Sequence, residues 1–194
     1  MSEEVSLGSI ATIRLGQNVK EAEPSSNIGV RFIRIKEVNA GYLKETSDLP
    51  FANIEPQKVK AFIEPGDIVL PTRGLRMSAM LIQTPTELLM TTNHIAIIKV
   101  MHERILPEFC LWYLNSPEGQ QALENQRKAT TSVPQISNKD LMNVKIPTPP
   151  LLVQSKIIEV NRNWLQQEDI YKKLMLNGFE LTQAACRQLV KGGL

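Results

Sequence analysis

The chain has 194 residues, enough for one domain of ordinary size with a core of its own and an appendage. Its 22 lysines and arginines and its 20 aspartates and glutamates leave a formal net charge of +2, which excludes a histone-like polycation. A hydrophobic fraction of 42% excludes a disordered chain and a collagen-like repeat.

The cysteines and the apolar stretches indicate the cellular compartment of the protein. Cys110 and Cys186 lie far apart in apolar helical patterns, and neither belongs to a Cys-x-x-Cys pair, so we expect reduced thiols. The first five residues are acidic and lack the apolar core of a signal peptide. The most apolar stretch, residues 88–100, is shorter than the roughly 20 residues of a membrane span. We therefore expect a soluble, cytoplasmic protein without membrane contact.

The first hundred residues predict short strands joined by polar loops. Residues 30–36 nearly alternate apolar and charged side chains, which is the period-two pattern of a half-buried strand. Further apolar runs predict strands at 68–70, 80–83 and 95–100. Segments rich in Gly, Pro, Asn, Ser and charge predict loops at 16–29, 39–61 and 71–79.

From Pro107 onward the sequence predicts helices. Pro107 and Glu108 suit the first turn of a helix, and an aromatic-rich run follows them. Residues 115–118 end this helix and cap a second one, which extends to about residue 126. The features predicted next are a polar loop at 127–135, a one-turn helix beginning near 137, a strand at 144–146 and a proline-rich stop at 147–150.

The last part of the chain predicts one long helix. Residues 151–191 contain no proline, and a straight helix of that length spans about 60 Å. Most positions of a heptad seam along it are apolar or aromatic, although Gln167, Gly178 and Gln188 are not. Asn177 and Gly178 could also form a turn between two shorter helices. The seam is typical of a coiled-coil arm or a helical hairpin, and its apolar and aromatic residues include Val153, Ile157, Val160, Trp164, Tyr171, Leu174, Leu181 and Ala185.

The sequence carries no constellation of catalytic residues. It has no Gly-x-Gly-x-x-Gly motif, no phosphate-binding P-loop and no His-Glu-x-x-His motif. The two histidines, His94 and His102, have no cysteine at metal-ligand spacing. Neither Ser78 nor Ser132 has a base that the sequence places beside it. We therefore predict a chain without catalytic residues or metal ligands.

The loop after the strand predicted at 68–70 carries the strongest binding signal. Arg73 and Arg76 are three positions apart, with Thr72 and Ser78 close by. Arginine forms bidentate hydrogen bonds to guanine or to phosphate, and hydroxyl groups bond to phosphate oxygens. An ordinary turn with solvated arginines would have the same residues, and the loop alone does not decide between the two.

Two further polar clusters are weaker candidates for nucleic-acid contact. One lies in the loop predicted at 127–135, where a solvated linker would have the same composition. The other follows the strand predicted at 30–36, where an ordinary hairpin turn is favoured. The candidate contacts are Lys128, Thr130, Thr131 and Ser132 in the first cluster and Lys36, Asn39, Tyr42 and Lys44 in the second.

Four segments, taken in order, resemble a known family. Residues 7–16 are similar to its opening Leu-Gly-Asp-Ile-Ala run, with Ser9 in place of the aspartate. Residues 65–74 resemble its Gly-Asp-Ile-Leu strand and loop, and residues 106–116 resemble its proline-led aromatic helix. The most specific match covers residues 131–157 and includes the run Pro-Thr-Pro-Pro-Leu. The chain resembles the target-recognition domain and spacer helix of the specificity subunit of type I restriction-modification enzymes.

The resemblance implies an α+β fold, with a mixed or antiparallel β-rich recognition globule, short helices and a long C-terminal coiled-coil helix. It places the target-recognition domain at 1–147 and the spacer and dimerisation helix at 148–194. It also implies a cytoplasmic, sequence-specific DNA-binding subunit that has no catalytic activity and binds no cofactor. Such a subunit directs a methyltransferase (M) subunit and a restriction (R) subunit, which use S-adenosylmethionine, ATP and Mg²⁺.

One departure from the family affects the expected assembly. The usual subunit carries two recognition domains separated by two helices, whereas this chain has one domain and one helix. We therefore expect two copies to pair through residues 151–189 into a homodimer that reads two inverted half-sites of double-stranded DNA. The competing explanation is a truncated subunit or an isolated domain. Two other functions stay open: a recognition-domain fragment of a fused restriction-methylation enzyme, and a coiled-coil adaptor that does not bind DNA.

Overall fold

The computed structural model describes residues 3–22, 29–38, 41–43, 45–75, 77–83, 87–127 and 134–192. Its strands are β1 (Glu4–Ser6), β2 (Ala11–Leu15), β3 (Val30–Ile33), β4 (Gly41–Leu43), β5 (Phe51–Ala52), β6 (Ile68–Pro71), β7 (Met80–Ile82), β8 (Leu89–Thr91), β9 (Ile95–Val100) and β10 (Lys145–Pro147). Its α-helices are α1 (Leu7–Ile10), α2 (Pro107–Asn115), α3 (Pro117–Asn125), α4 (Asn138–Met142) and α5 (Leu151–Val190). The chain divides into two compact units, Met1–Ser155, which we call the globule, and Lys156–Leu194.

A five-stranded sheet in the order β2-β9-β6-β7-β4 organises the globule. Its neighbouring strands are antiparallel except β4 and β7, which are parallel. All four residues of β6 are buried, because this central strand is apolar on both faces. The strands predicted at 68–70, 80–83 and 95–100 are members of this sheet, which confirms them.

A three-stranded sheet in the order β5-β3-β8 contributes to two apolar clusters. Ile33 and Leu89 belong to one cluster, together with apolar residues of β6, β7 and β9. Val30, Phe32 and Met90 belong to a second cluster. Successive side chains of a strand point to opposite faces, so both faces of this small sheet are buried.

The strand predicted at 30–36 ends early, at Ile33. Glu37 bonds back to Arg34: one carboxylate oxygen accepts from the Arg34 backbone N–H at 2.8 Å, and the other accepts from its guanidinium at 2.6 Å. These bonds close a 3-10 turn at Ile35–Glu37, and the prediction of a strand there is wrong. The loop predicted at 39–61 likewise contains β4 and β5, which are too short to show a period-two pattern.

Within the globule, the buried side chain of Gln154 holds the first turn of α5. Gln154 is fully buried, and its Nε2 donates to the carbonyl oxygens of Arg104 at 2.7 Å and Pro149 at 2.8 Å. Its Oε1 accepts from the Leu106 backbone N–H at 2.9 Å. These bonds satisfy backbone groups in the turn after β9 and in the proline-rich stop before the helix.

The long helix predicted for the last part of the chain is confirmed. α5 is continuous over 40 residues, so the turn considered at Asn177 and Gly178 does not form. The Thr182 hydroxyl donates to the Gly178 carbonyl oxygen at 2.8 Å, one helical turn earlier. Among the described residues, no helix has both the length and the apolar composition needed to cross a membrane.

Asp67 is a buried acidic residue just before β6. Its Oδ2 accepts from the Glu64 backbone N–H at 2.9 Å and lies 3.4 Å from the Arg14 guanidinium. Its Oδ1 is buried without a hydrogen-bond partner among the described residues. Burial raises the pKa of Asp67, against the opposing effects of the Glu64 N–H and of Arg14.

The raised pKa of Asp67 predicts an unusual pH dependence of stability. The unfolded value is about 3.9, so the folded chain binds this proton more tightly than the unfolded chain does. The contribution of Asp67 to stability is therefore fully present at pH values below its pKa in the unfolded chain. It is lost as the pH rises through its pKa in the folded chain. We predict that the difference in free energy of unfolding, wild type minus Asp67→Asn, decreases as the pH is raised from about 3 to about 7. Urea titrations of both proteins measure this difference. A difference that rises with pH would show that attraction to Arg14 outweighs burial.

Candidate nucleic-acid interface

Several loops meet at one end of the five-stranded sheet. β6 ends there at Pro71, and its antiparallel neighbours β7 and β9 begin there, at Met80 and Ile95. β4 is parallel to β7 and also begins at this end, at Gly41. We call this end the loop end of the sheet. Because four strands start or stop together, the segments that connect them lie close to one another.

The first part of the loop after β6 is bonded to a distant segment. Arg73 forms an antiparallel bridge with Gln135. The N–H of Gly74 donates to the carbonyl oxygen of Pro134 at 3.1 Å. The structure therefore brings the loop that carries Arg73 beside the end of the polar loop predicted at 127–135, a proximity that the sequence does not indicate.

The last part of the same loop is held by the junction of α2 and α3. Asn115 bonds twice to the backbone of Ala79: its Oδ1 accepts from the N–H at 2.8 Å, and its Nδ2 donates to the carbonyl oxygen at 2.9 Å. Gln120 donates to the carbonyl oxygen of Met77 at 3.2 Å. Hydrogen bonds from other elements therefore fix both ends of the loop 72–79.

The third predicted cluster approaches this loop from β4. The N–H of Gly41 donates to the Ala79 carbonyl oxygen at 3.3 Å, so the start of β4 lies beside Ser78 and Ala79. Tyr42 is half-buried in β4, and Lys36 is exposed in the preceding 3-10 turn. Parts of all three predicted clusters thus lie at or next to the loop end of the sheet.

Arg73 differs from the other described arginines of the globule. Those arginines are paired with carboxylates: Arg14 with Asp67, Arg31 with Glu87, Arg34 with Glu37, Arg104 with Glu3 and Arg127 with Glu124. Arg73 is exposed, and no carboxylate among the described residues pairs with it. Within that part of the chain, Arg73 is therefore the arginine of the globule whose guanidinium is open to an external acceptor.

The other predicted contacts differ in how far they reach the surface. Thr72 is 7% exposed, so little of its side chain is accessible, and its backbone N–H donates to the His94 carbonyl oxygen at 2.8 Å. Ser78 is half-buried, and the Lys36 side chain is 69% exposed. The predicted contacts that lie outside the described residues are Asn39, Lys44, Arg76, Lys128, Thr130, Thr131 and Ser132.

Three residues that shape this site were not expected from the sequence. The sequence predicts Asn115 only as part of a helix end and assigns no role to Gln120. Arg127 lies at the start of the polar loop predicted at 127–135, but its guanidinium donates to the Gly74 carbonyl oxygen. These contacts join residues 36, 43 and 53 positions apart, and no local pattern in the sequence indicates them.

The predicted dimerisation seam lies on α5, and most of its side chains are exposed. A helix with many exposed apolar residues has a face that a partner could cover. The exposed seam residues are Val153, Val160, Trp164, Tyr171, Leu174, Leu181 and Ala185, and Ile157 is half-buried.

No metal-binding cluster is found in the part of the chain that the structure describes: no three His, Cys, Asp or Glu side chains are close enough to hold an ion. The histidines take part in turns instead. The His94 carbonyl oxygen accepts from Thr72, and the His102 Nδ1 accepts from the Arg104 backbone N–H at 3.1 Å.

Two solved structures have a fold similar to that of this chain. One comes from a study of complex assembly and conformational transition of the type I R-M system; it is 20% identical, has a TM-score of 0.63, and the match covers 88% of this chain and 40% of that one. The other is the HsdS subunit from Thermoanaerobacter tengcongensis, which is 22% identical and has a TM-score of 0.61. This match covers 88% of this chain and 39% of the HsdS subunit. The chain therefore spans about 40% of the length of these two structures.

The sequence itself matches a family. No curated protein matches the chain significantly. The family described as the type I restriction modification DNA specificity domain matches residues 2–174, which is most of the chain. The α+β fold and the long C-terminal helix implied by the resemblance are confirmed. The chain belongs to the type I restriction modification DNA specificity domain family.

Proposed function

We propose that this chain recognises one half-site of a double-stranded DNA target and thereby determines where a type I restriction-modification enzyme acts. The globule reads the sequence at the loop end of its sheet, and α5 joins a second copy. The chain itself cuts and methylates nothing and binds no cofactor. A methyltransferase subunit and a restriction subunit, which use S-adenosylmethionine, ATP and Mg²⁺, perform the chemistry in the cytoplasm.

The exposed guanidinium of Arg73, on a loop fixed at both ends, carries the proposal. Bonds that already hold both ends of a loop reduce the conformational freedom that the loop loses when it binds. The planar fork of arginine matches the O6 and N7 acceptors of guanine in the major groove. The exposed Lys36 and the nearby Ser78 and Tyr42 would contact phosphates and set the register on the duplex. The seven candidates outside the described residues belong to the same proposal.

One observation favours pairing of two copies: α5 exposes an apolar seam. A twofold pair would place two identical recognition globules on one DNA molecule. Their half-sites would then be inverted copies of each other at a fixed spacing.

We predict that Arg73→Ala relaxes sequence preference. If Arg73 reads a base, the ratio of the affinity for the target to the affinity for a duplex with one base pair changed falls about 5- to 150-fold, which corresponds to roughly 1–3 kcal/mol. If Arg73 contacts only phosphate, all duplexes weaken equally, and the slope of log K against log salt falls by about 0.9. Competition binding with duplexes selected from a randomised library measures both quantities.

The matched control for this prediction is Arg104→Ala. Arg104 is 60% exposed and follows the end of β9 that lies opposite the loop end of the sheet. This variant should keep both the affinity ratio and the salt slope of the wild type. If Arg73→Ala also keeps both, Arg73 does not belong to the interface.

Two other functions make different predictions. A recognition-domain fragment of a fused restriction-methylation enzyme would bind S-adenosylmethionine by itself, and a calorimetric titration would detect this. A coiled-coil adaptor would show no salt-dependent affinity for duplex DNA. Our proposal predicts no S-adenosylmethionine binding by the chain alone and a salt-dependent affinity for DNA.

A further inference from the structure

A buried arginine connects α3 to the loop that carries Arg73. Arg127 follows α3, and its side chain is 7% exposed. One terminal nitrogen pairs with the carboxylate of Glu124, and the other donates to the carbonyl oxygen of Gly74. The Nε–H is buried and has no hydrogen-bond partner among the described residues. Burying a guanidinium costs solvation free energy, which its bonds to Glu124 and to the Gly74 carbonyl oxygen offset.

Gly74 is the point at which these contacts fix the loop. Its φ of +114° lies in the left-handed region, which glycine adopts without strain. Its N–H donates to Pro134 and its carbonyl oxygen accepts from Arg127, so both polar groups of its backbone are bonded to other segments. Arg73 directly precedes it and is bridged to Gln135. The direction in which the Arg73 side chain leaves the backbone depends on this set of contacts.

We propose that Arg127 is a positioning residue for DNA recognition, which holds the Gly74 peptide so that Arg73 meets the base edges in one orientation. The inference rests on the proposed function. Arg127 itself does not contact DNA, because its side chain is buried and its two terminal nitrogens are engaged within the globule. This role differs from the phosphate contact that its place in a polar, basic loop would indicate.

Positioning and phosphate contact give different signatures in binding experiments. A phosphate contact strengthens binding to every sequence and contributes about 0.9 to the salt slope. A positioning residue affects discrimination instead. A displaced Arg73 still attracts the DNA backbone, but it no longer forms a bidentate pair with the correct base.

Arg127→Met tests the inference in the full chain. Methionine keeps much of the apolar stem and removes the donors. With duplexes selected by the wild type from a randomised library, we expect the ratio of affinities for the selected duplex and for a single-base-pair variant to fall about fivefold or more. Affinity and salt slope on a non-specific duplex should stay at wild-type values. Arg127→Lys keeps the charge without the planar fork and should show the same loss of discrimination. Arg104→Met should change neither quantity.

The outcomes separate the inference from the proposed function. A salt slope lower by about 0.9 with an unchanged affinity ratio would show a phosphate contact and overturn the positioning role. An unchanged ratio with an unchanged slope would overturn it as well. A wild-type chain that selects no sequence from the library would contradict the proposed function itself.

A second variant covers the case in which Arg127→Met does not fold, as judged by circular dichroism. Glu124 is 56% exposed, so Glu124→Gln should leave the fold intact while weakening the ion pair that orients Arg127. We expect its affinity ratio to fall about twofold or more, with the salt slope unchanged. A wild-type ratio in Glu124→Gln, together with an unfolded Arg127→Met, would assign Arg127 to the stability of the fold and overturn the inference.

Discussion

Replacing Leu174 with glutamate is expected to convert the proposed dimer into a monomer. Leu174 lies in the predicted seam of α5 and is 60% exposed in the single chain. Burying a leucine contributes about 1.5–3 kcal/mol, and a twofold pair loses this contribution in both copies. The dissociation constant of the dimer should therefore rise by roughly 10² to 10⁴. Leucine and glutamate have similar helix propensities, so the helix itself should persist.

Leu176→Glu is the matched control for the seam. Leu176 is 57% exposed and lies about 200° around the helix from Leu174, outside the seam. Sedimentation equilibrium at micromolar concentration should find a dimer for the wild type and for Leu176→Glu, and a monomer for Leu174→Glu. The affinity of Leu174→Glu for a duplex with two inverted half-sites should be about 10²- to 10⁴-fold lower than that of the wild type, because a monomer binds only one half-site at a time. A monomeric wild type, or a Leu174→Glu variant that still pairs, would contradict the proposed assembly.

Adding one methyl group at Gly119 is expected to destabilise the globule by about 3 kcal/mol or more. A Cβ at this position would lie 1.8 Å from the Tyr113 carbonyl oxygen and 2.7 Å from the Tyr113 carbonyl carbon, which are backbone atoms of α2. The Ser116 hydroxyl fixes this close approach, since it donates to the Tyr113 carbonyl oxygen at 2.8 Å and accepts from the Gly119 N–H at 3.1 Å. We expect the clash also to displace Asn115, whose bonds to Ala79 hold the loop end of the sheet. Gly119→Ala should therefore lose DNA binding together with stability.

Gly178→Ala is the control for this substitution. Gly178 lies inside α5 at a position of the predicted seam, and apart from the backbone of its own helix within four residues no described atom lies within 4 Å of an added Cβ. Alanine is favoured over glycine within a helix, so this variant should be more stable by about 0.5–1 kcal/mol. Urea unfolding followed by circular dichroism measures both variants. A wild-type free energy of unfolding for Gly119→Ala would contradict the packing of α3 against α2.

The central strands could be predicted because each carries its own burial signal. β6 and β9 are apolar runs, and their neighbours bury both faces of them. β4 and β5 have three and two residues, and they are strands only because β7 and β3, far away in sequence, supply their hydrogen-bond partners. α5 could be predicted because a heptad pattern without proline is a local property of the sequence, although the sequence left a turn at Asn177 and Gly178 open.

The candidate site was predictable in its residue types and not in its geometry. Arg73 and its loop were identified from charge and turn chemistry, which are local. The bridge from Arg73 to Gln135 and the bond from Arg127 to Gly74 depend on how the chain folds back on itself. Burial also changes the role of an arginine: the same side chain binds an external anion when exposed and becomes a structural donor when enclosed. The sequence pattern of the loop 127–135 could not distinguish these two states.

The most direct test of the central claim is to sequence methylated bases in cells that carry the methyltransferase subunit, with and without the gene for this chain. With the chain present, methylation should occur at one sequence made of two inverted half-sites at a fixed spacing. Without the chain, methylation at that sequence should disappear. With Arg73→Ala, the methylated sequence should become more degenerate at one position of each half-site. Methylation of the same sequence in cells that lack the chain would contradict its role as the subunit that recognises the target.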